Sequence, residues 1–301
     1  LLRLVRRFKS DADGEAAIEF LAKVAHQDVV QLPDGTYKIA RGTASGRSVS
    51  RTDPEARHGR KSESQPITGF KTHVLATTTS LFVTGIKVTD ASIHDSKPTP
   101  DMIDQAAASG LRPVRALGDG AYGTGANIRA CAERGVEMLT KQGGSGNDGL
   151  TKRDFEIDLD AMSATCPAGH TSMKHTWVKD PDGAKNADNS DVRVPAFKFP
   201  TGLCRGCPLA AKCGKNVKTH GRSVRCSAYE AELQRIKRFN ATAESKPLLR
   251  RRCAIELLSH LVRMGMRQGR FFGLAMVQFQ AFMTAAAYNL QRFITLSAAR
   301  S

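Results

Sequence analysis

One stretch limits the possible folds more than any other: residues 113 to 141, PVRALGDGAYGTGANIRACAERGVEMLTK. PVRAL has the apolar character of a short strand, and TGANIRACAERG has helical spacing and is closed by Gly135, just past its end. VEMLTK is again a strand. Where a sheet is crossed by helices, functional groups gather at the carboxyl ends of its strands, and Asp119 stands at such an end. Asp-Gly is also among the commonest turn dipeptides, so a plain turn residue is the competing reading.

The flanking segments extend the pattern. GEAAIEFLAKVAHQ (14–27) is helical, and LPDGTYKI (32–39) holds an Asp-Gly turn suited to a hairpin. A polar, basic stretch (41–65) leads to FKTHVLAT (70–77) and LFVTGIKVT (81–89), which read as an antiparallel hairpin. DMIDQAAAS (101–109) is helical, so the order is hairpin, helix, strand, helix, strand. GGSGNDG (143–149) is linker material, and the following ~80 residues show Cys, Lys and short β-like runs without strong helical period. Helical spacing returns at Tyr229, breaks at Pro247 and resumes as a long helix over 248–271, followed by a buried helix over 274–296. Gln278, Gln280, Asn289, Gln291 and Arg292 make that last segment too polar for a membrane span.

Charge narrows the partner. Forty-five Lys and Arg against 29 Asp and Glu leave +16, which favours a polyanion through counterion release. Seven Cys, an odd number, with no secretory signal in view point to a reduced, cytoplasmic protein rather than a disulfide framework. The chain opens LLRLVRRFKS without an initiator Met, and we expect it to be the carboxyl-terminal part of something longer. On a regular helix Arg252, Glu256, His260 and Arg263 share one face, as a functional cluster or as an ordinary ion pair one turn apart.

Several stretches together resemble a known family. DPEARHGRKS…GFKTHV (53–74), GDGAYG (118–123), CPAGH (166–170), CRGCPLAAKC (204–213) and RRRCAIE…LVRMGMRQGRFFG (250–273) look like the bacterial insertion-sequence transposases with an Asp-Asp-Glu triad. The resemblance runs from about His26 to Arg292. It implies an α/β, ribonuclease H-like fold: a mixed sheet with flanking helices, interrupted by a Cys-containing β insertion. It also implies that Asp119 and Glu256 are catalytic and hold Mg2+ or Mn2+. Two divalent ions about 3.5–4 Å apart activate the attacking and stabilise the leaving oxygen of a phosphodiester, and hard carboxylate oxygens suit them. The family's late signature, Tyr-x2-Arg-x3-Glu-x6-Lys, reads here Leu249, Arg252, Glu256, Arg263; the Tyr is lost and the last cation is Arg.

The implied partner is double-stranded DNA, transposon ends and target, met by an assembly of like chains in the bacterial cytoplasm at the nucleoid. Arg252 and Arg263 would face its backbone. The family's first Asp lies on an initial strand, and none of Asp11, Asp13, Asp28, Asp34 or Asp53 suits that role. A chain without it is expected to be inactive alone, and a non-catalytic DNA-binding protein derived from a transposase is the alternative.

The remaining motifs keep two readings each. Cys166 with Cys204, Cys207 and Cys213 has spacing suited to a structural zinc, with His170 as a substitute ligand; simple thiols in a small β insertion are the alternative. Cys131 and Cys253 fall on helical patterns as core residues. The loop DPEARHGRKS offers Arg57, His58, Arg60 and Lys61 to DNA, or to solvent alone. The expected organisation is a leading helix, hairpin and basic loop (1–65), a core (66–142 and 228–297) and the insertion (143–227).

Overall fold

The computed structural model describes residues 12–40, 46–62, 64–141 and 149–299. Glycine-rich 143–148, the opening residues including Asp11, and the side chains of Asp13, Lys61 and Glu256 lie outside the described residues. The chain divides into two units, residues 1–94 with 257–301, and residues 95–256.

In the first unit, helix α1 (Ala12–His26) precedes a small hairpin, β1 (Val29–Gln31) and β2 (Tyr37–Ile39), turning at the expected Asp-Gly. Next comes an antiparallel meander of β3 (Arg57–Ser62), β4 (Gln65–Ala76) and β5 (Val83–Asp90). The expected hairpin is β4 and β5, with Phe70 opposite Asp90 and Val74 opposite Ile86. The basic loop is corrected here: most of it is strand β3, because its backbone pairs with β4 from Arg57 opposite Gly69 to Ser62 opposite Gln65.

The last helix, Leu274–Ala298, packs Val277, Ala281, Ala285 and Tyr288 against Val83, Ile86 and Val88 of β5. Its amides, which ruled out a membrane span, bind backbone. Gln278 Oε1 accepts from Val88 N at 2.7 Å and its Nε2 donates to the Ile86 carbonyl; Asn289 makes the same double contact with Val83. No helix among the described residues is long and apolar enough to cross a membrane. Asp53 and Glu55 accept from the N–H groups of Gly273 and Leu274, satisfying donors that the helix start would leave open.

The second unit starts with α2 (Thr99–Ala108), then β6 (Arg115–Gly118), α3 (Gly125–Ala132) and β7 (Glu137–Thr140). β6 and β7 are parallel, in register from Arg115 opposite Glu137 to Gly118 opposite Thr140, so the crossover read from the sequence is present. The fold is mixed α/β, and among the described residues β3–β5 form a meander and β6 and β7 a parallel pair. The Val83 and Val88 amides of β5 are taken by side chains of the last helix.

Residues 149–226 fold around their own apolar core of Phe155, Ile157, Val194, Phe197, Phe199 and Val224. Two three-stranded antiparallel sheets build it, β8 (Glu156–Asp158) to β10 (Thr171–Ser172) with β9 (Ser163–Thr165) between, and β11 (His175–Lys179), β12 (Arg193–Phe199), β13 (Arg222–Arg225). Three short helices, Thr201–Arg205, Ala210–Cys213 and Val217–His220, sit between β12 and β13.

The long helix expected over 248–271 is corrected. Helix Glu230–Ala241 ends before Thr242, and Pro247 lies in the first turn of Ser245–Arg250, where its missing N–H costs nothing. Arg251–Leu258 is a 3-10 helix, and Val262–Met266 is a π turn whose Gly265 sits at φ 110°. Gln280 Nε2 draws the carbonyls of Gly265 and Gln268 out of any helical ladder, at 2.8 and 2.9 Å. With three residues per turn, positions four apart do not stack, so the backbone does not support a shared face for Arg252 and Glu256. Cys253 is exposed, which corrects its assignment to the core, whereas Cys131 is fully buried.

Candidate active-site edge and thiol cavity

Asp119 follows the last residue of β6 and is exposed. Its carboxylate Oδ1 accepts from Ala121 N at 2.9 Å, and its carbonyl accepts from Tyr122 N, so side chain and main chain both fix the turn. Close packing demands the glycines around it. A Cβ on Gly118 would lie 2.6 Å from Met138 Cε and 2.8 Å from Tyr122 Cβ; one on Gly125 would lie 2.2 Å from Tyr229 Cβ. Thr124 caps α3 by accepting from Asn127 N and donates to Ser96 Oγ at 3.2 Å, tying the 95–98 loop to this turn. Asn127 Nδ2 donates to the Tyr122 carbonyl at 2.8 Å.

Tyr122 reports the local field. Burial, then the charges of Asp95 and Asp119, push its phenol up to about 12. Asp95 is therefore a second carboxylate acting on the same ring, and the sequence reading missed it. The signal was available, an acid in HDSK just past an apolar strand, but acids after strands are common and nothing local tells which lies near Asp119. On the other side of α3, Arg129 makes a two-pronged pair with Glu232 at 2.6 and 3.1 Å and stacks over Tyr229, fixing α3 to helix Glu230–Ala241.

The remaining candidates lie on other elements. Arg252 is half-buried, and its proposed neighbour Glu256 has no described side chain. Arg263 is exposed and donates to His260 Nδ1 at 3.3 Å. A guanidinium only donates, so the His260 proton is assigned to Nε2, which faces Gln291 Oε1 at 3.2 Å. Arg57 folds back onto the Ala56 carbonyl at 2.8 Å, and Arg60 is exposed on β3. Among the acids near the start of the chain, Asp28 pairs with Arg47, Asp34 closes its own turn with Thr36, and Asp53 holds the last helix.

Cys166, Cys204, Cys207 and Cys213 line one apolar cavity of about 30 Å3, together with His170. Burial pushes the Cys204 and Cys213 thiols up, and charge on the other cysteines of the group would push them further. As placed, no three His, Cys, Asp or Glu side chains among the described residues are arranged to hold a metal ion.

Comparison with known proteins gives one family. Residues 44–290 match the family model described as Transposase DDE domain, spanning most of the chain. No curated protein and no solved structure matches.

Proposed function

The chain belongs to the transposase DDE domain family, and from that premise we propose that it is built for metal-dependent cleavage and joining of DNA strands at the ends of an insertion sequence. The observation that carries this reading is Asp119, an exposed carboxylate at the carboxyl end of a parallel strand, clamped by Ala121 N and sharing Tyr122 with Asp95. These hard oxygen donors fit Mg2+ or Mn2+. Asp119 and Glu256 would hold the metal, which when bound supplies activation of the attacking oxygen and stabilisation of the leaving one.

The chain's own residues do the rest. The Ala121 N–H fixes one Asp119 oxygen and so sets the direction of the other. The cations Arg57, Arg60, Lys61, Arg252 and Arg263 would meet phosphates of double-stranded DNA and position it without reading sequence. The wider proposal is a ribonuclease H-like core interrupted by residues 143–227, working as an assembly of like chains. Asp28 pairs with Arg47, Asp34 with Thr36 and Asp53 with the start of the last helix, so we assign the triad's first acid to none of the three.

The test is manganese binding followed by electron paramagnetic resonance, with duplex DNA binding measured beside it. Weak manganese binding that disappears in Asp119→Asn, with DNA affinity falling steeply as salt rises, is the expected result. Manganese binding unchanged in Asp119→Asn overturns the site. Salt-dependent DNA binding with no manganese binding at all selects the non-catalytic DNA-binding reading instead.

A further inference from the structure

Cys166, Cys204, Cys207 and Cys213 have no place in the proposed strand chemistry, yet the fold brings these four to one cavity. Cys166 stands at the start of a tight turn that the positive φ of Gly169, 84°, allows to close; Cys166 N donates to the His170 carbonyl at 2.8 Å. Cys204 and Cys207 lie on successive turns, with Cys207 N donating to the Cys204 carbonyl, and Cys213 ends the next short helix. A hairpin turn and a helical turn thus present thiols to the same 30 Å3 space, walled by Phe155, Phe199 and Val217. All four are free thiols.

Arg222 gives an independent sign. Its Nη1 donates to the Cys213 carbonyl at 2.8 Å and its guanidinium lies over the Phe155 ring, but its buried Nε has no hydrogen-bond partner. A guanidinium nitrogen buried beside apolar walls without a partner is costly, and negative charge in the cavity would relieve it. The surrounding segment is small, made of short strands, and is the kind of core that a structural metal stabilises.

We propose that Cys166, Cys204, Cys207 and Cys213 close on one zinc ion as a tetrahedral four-thiolate site that stabilises residues 149–226. Four thiols each lose a proton and one Zn2+ enters, so the centre carries a net charge of −2 by formal count, and the Arg222 cation offsets part of it. Reaching ligand distance requires the four thiols to move inward from where they line the cavity.

The experiment is elemental analysis of the full chain purified without chelator. About one zinc per chain is expected, falling to near zero in the Cys204→Ser/Cys207→Ser double variant. Because that variant can fail to fold, the wild-type chain is also loaded with Co2+ in place of zinc. Intense thiolate-to-cobalt absorption with the ligand-field bands of tetrahedral four-sulfur coordination is expected, unchanged in His170→Ala. No zinc in the wild-type chain, or zinc retained in the double variant, overturns the proposal. A three-sulfur spectrum that is lost in His170→Ala overturns the four-thiolate assignment. None of these outcomes depends on whether the chain joins DNA.

Discussion

Residues 149–226 and the Asp119 turn lie in the same unit and are built on opposite terms. In the first, Phe155 and Phe197 are fully buried, four thiols line an apolar cavity, and position follows from packing. In the second, the Asp119 carboxylate is exposed, and position follows from a turn hydrogen bond and from glycines that let strand, turn and tyrosine approach closely. Packing and local hydrogen bonding are therefore separable supports, and a substitution that damages one region should leave the other standing.

The largest test of that separation is Phe197→Ala. It removes a ring of the fully buried core and should cost about 3–5 kcal/mol, read as a lower midpoint in denaturant. If residues 149–226 are supported independently, the Tyr122 environment should survive at denaturant concentrations that open this core. A simultaneous loss at both places would erase the distinction.

A smaller effect is expected from alkali. Cys226 is fully buried, and burial with the Glu230 charge pushes its thiol up to about 12. Below the ordinary thiol value both folded and unfolded forms are protonated, so the group is neutral in the balance. Above it the unfolded chain loses the proton first, and stability falls as pH rises toward the folded value. The stability advantage of wild type over Cys226→Ala should therefore shrink by roughly 1–2 kcal/mol between about pH 8 and about pH 10.5. A gap constant across that range would show that the thiol is not held neutral by its surroundings.

The smallest expected effect sharpens the contrast most. Asp119→Ala removes one exposed hydrogen bond to Ala121 N and should change stability by about 0.5–1.5 kcal/mol or less. A loss several times larger would mean that Asp119 is a structural residue and that its exposure misleads.

Much of this organisation was legible beforehand because it is local. The parallel crossover followed from apolar runs and Gly135, the hairpins from Asp-Gly and short polar turns, and the last helix from its apolar period. What failed was also physical. β3 was read as loop because RHGRKS is polar and basic, and only pairing with β4 makes it a strand. The long helix over 248–271 had helical spacing, but spacing does not show Gly265 at φ 110° or Gln280 drawing carbonyls away. Asp53 and Glu55 carried no sign that they would meet a helix start more than 200 positions later. Asp95 is hidden for the same reason, since its relation to Asp119 is set by folding around α2.

The sequence by itself determined the family, the crossover that places Asp119 at a strand end, and the cysteine spacing, because each depends on residues near one another in the chain. Only the tertiary structure decided that four cysteines share one cavity with Arg222, that Asp95 and Asp119 both bear on Tyr122, and that the amides of the last helix bind the backbone of β5. Those relations depend on closing long loops and burying polar groups against specific partners, and no local pattern of residues encodes which partner is found.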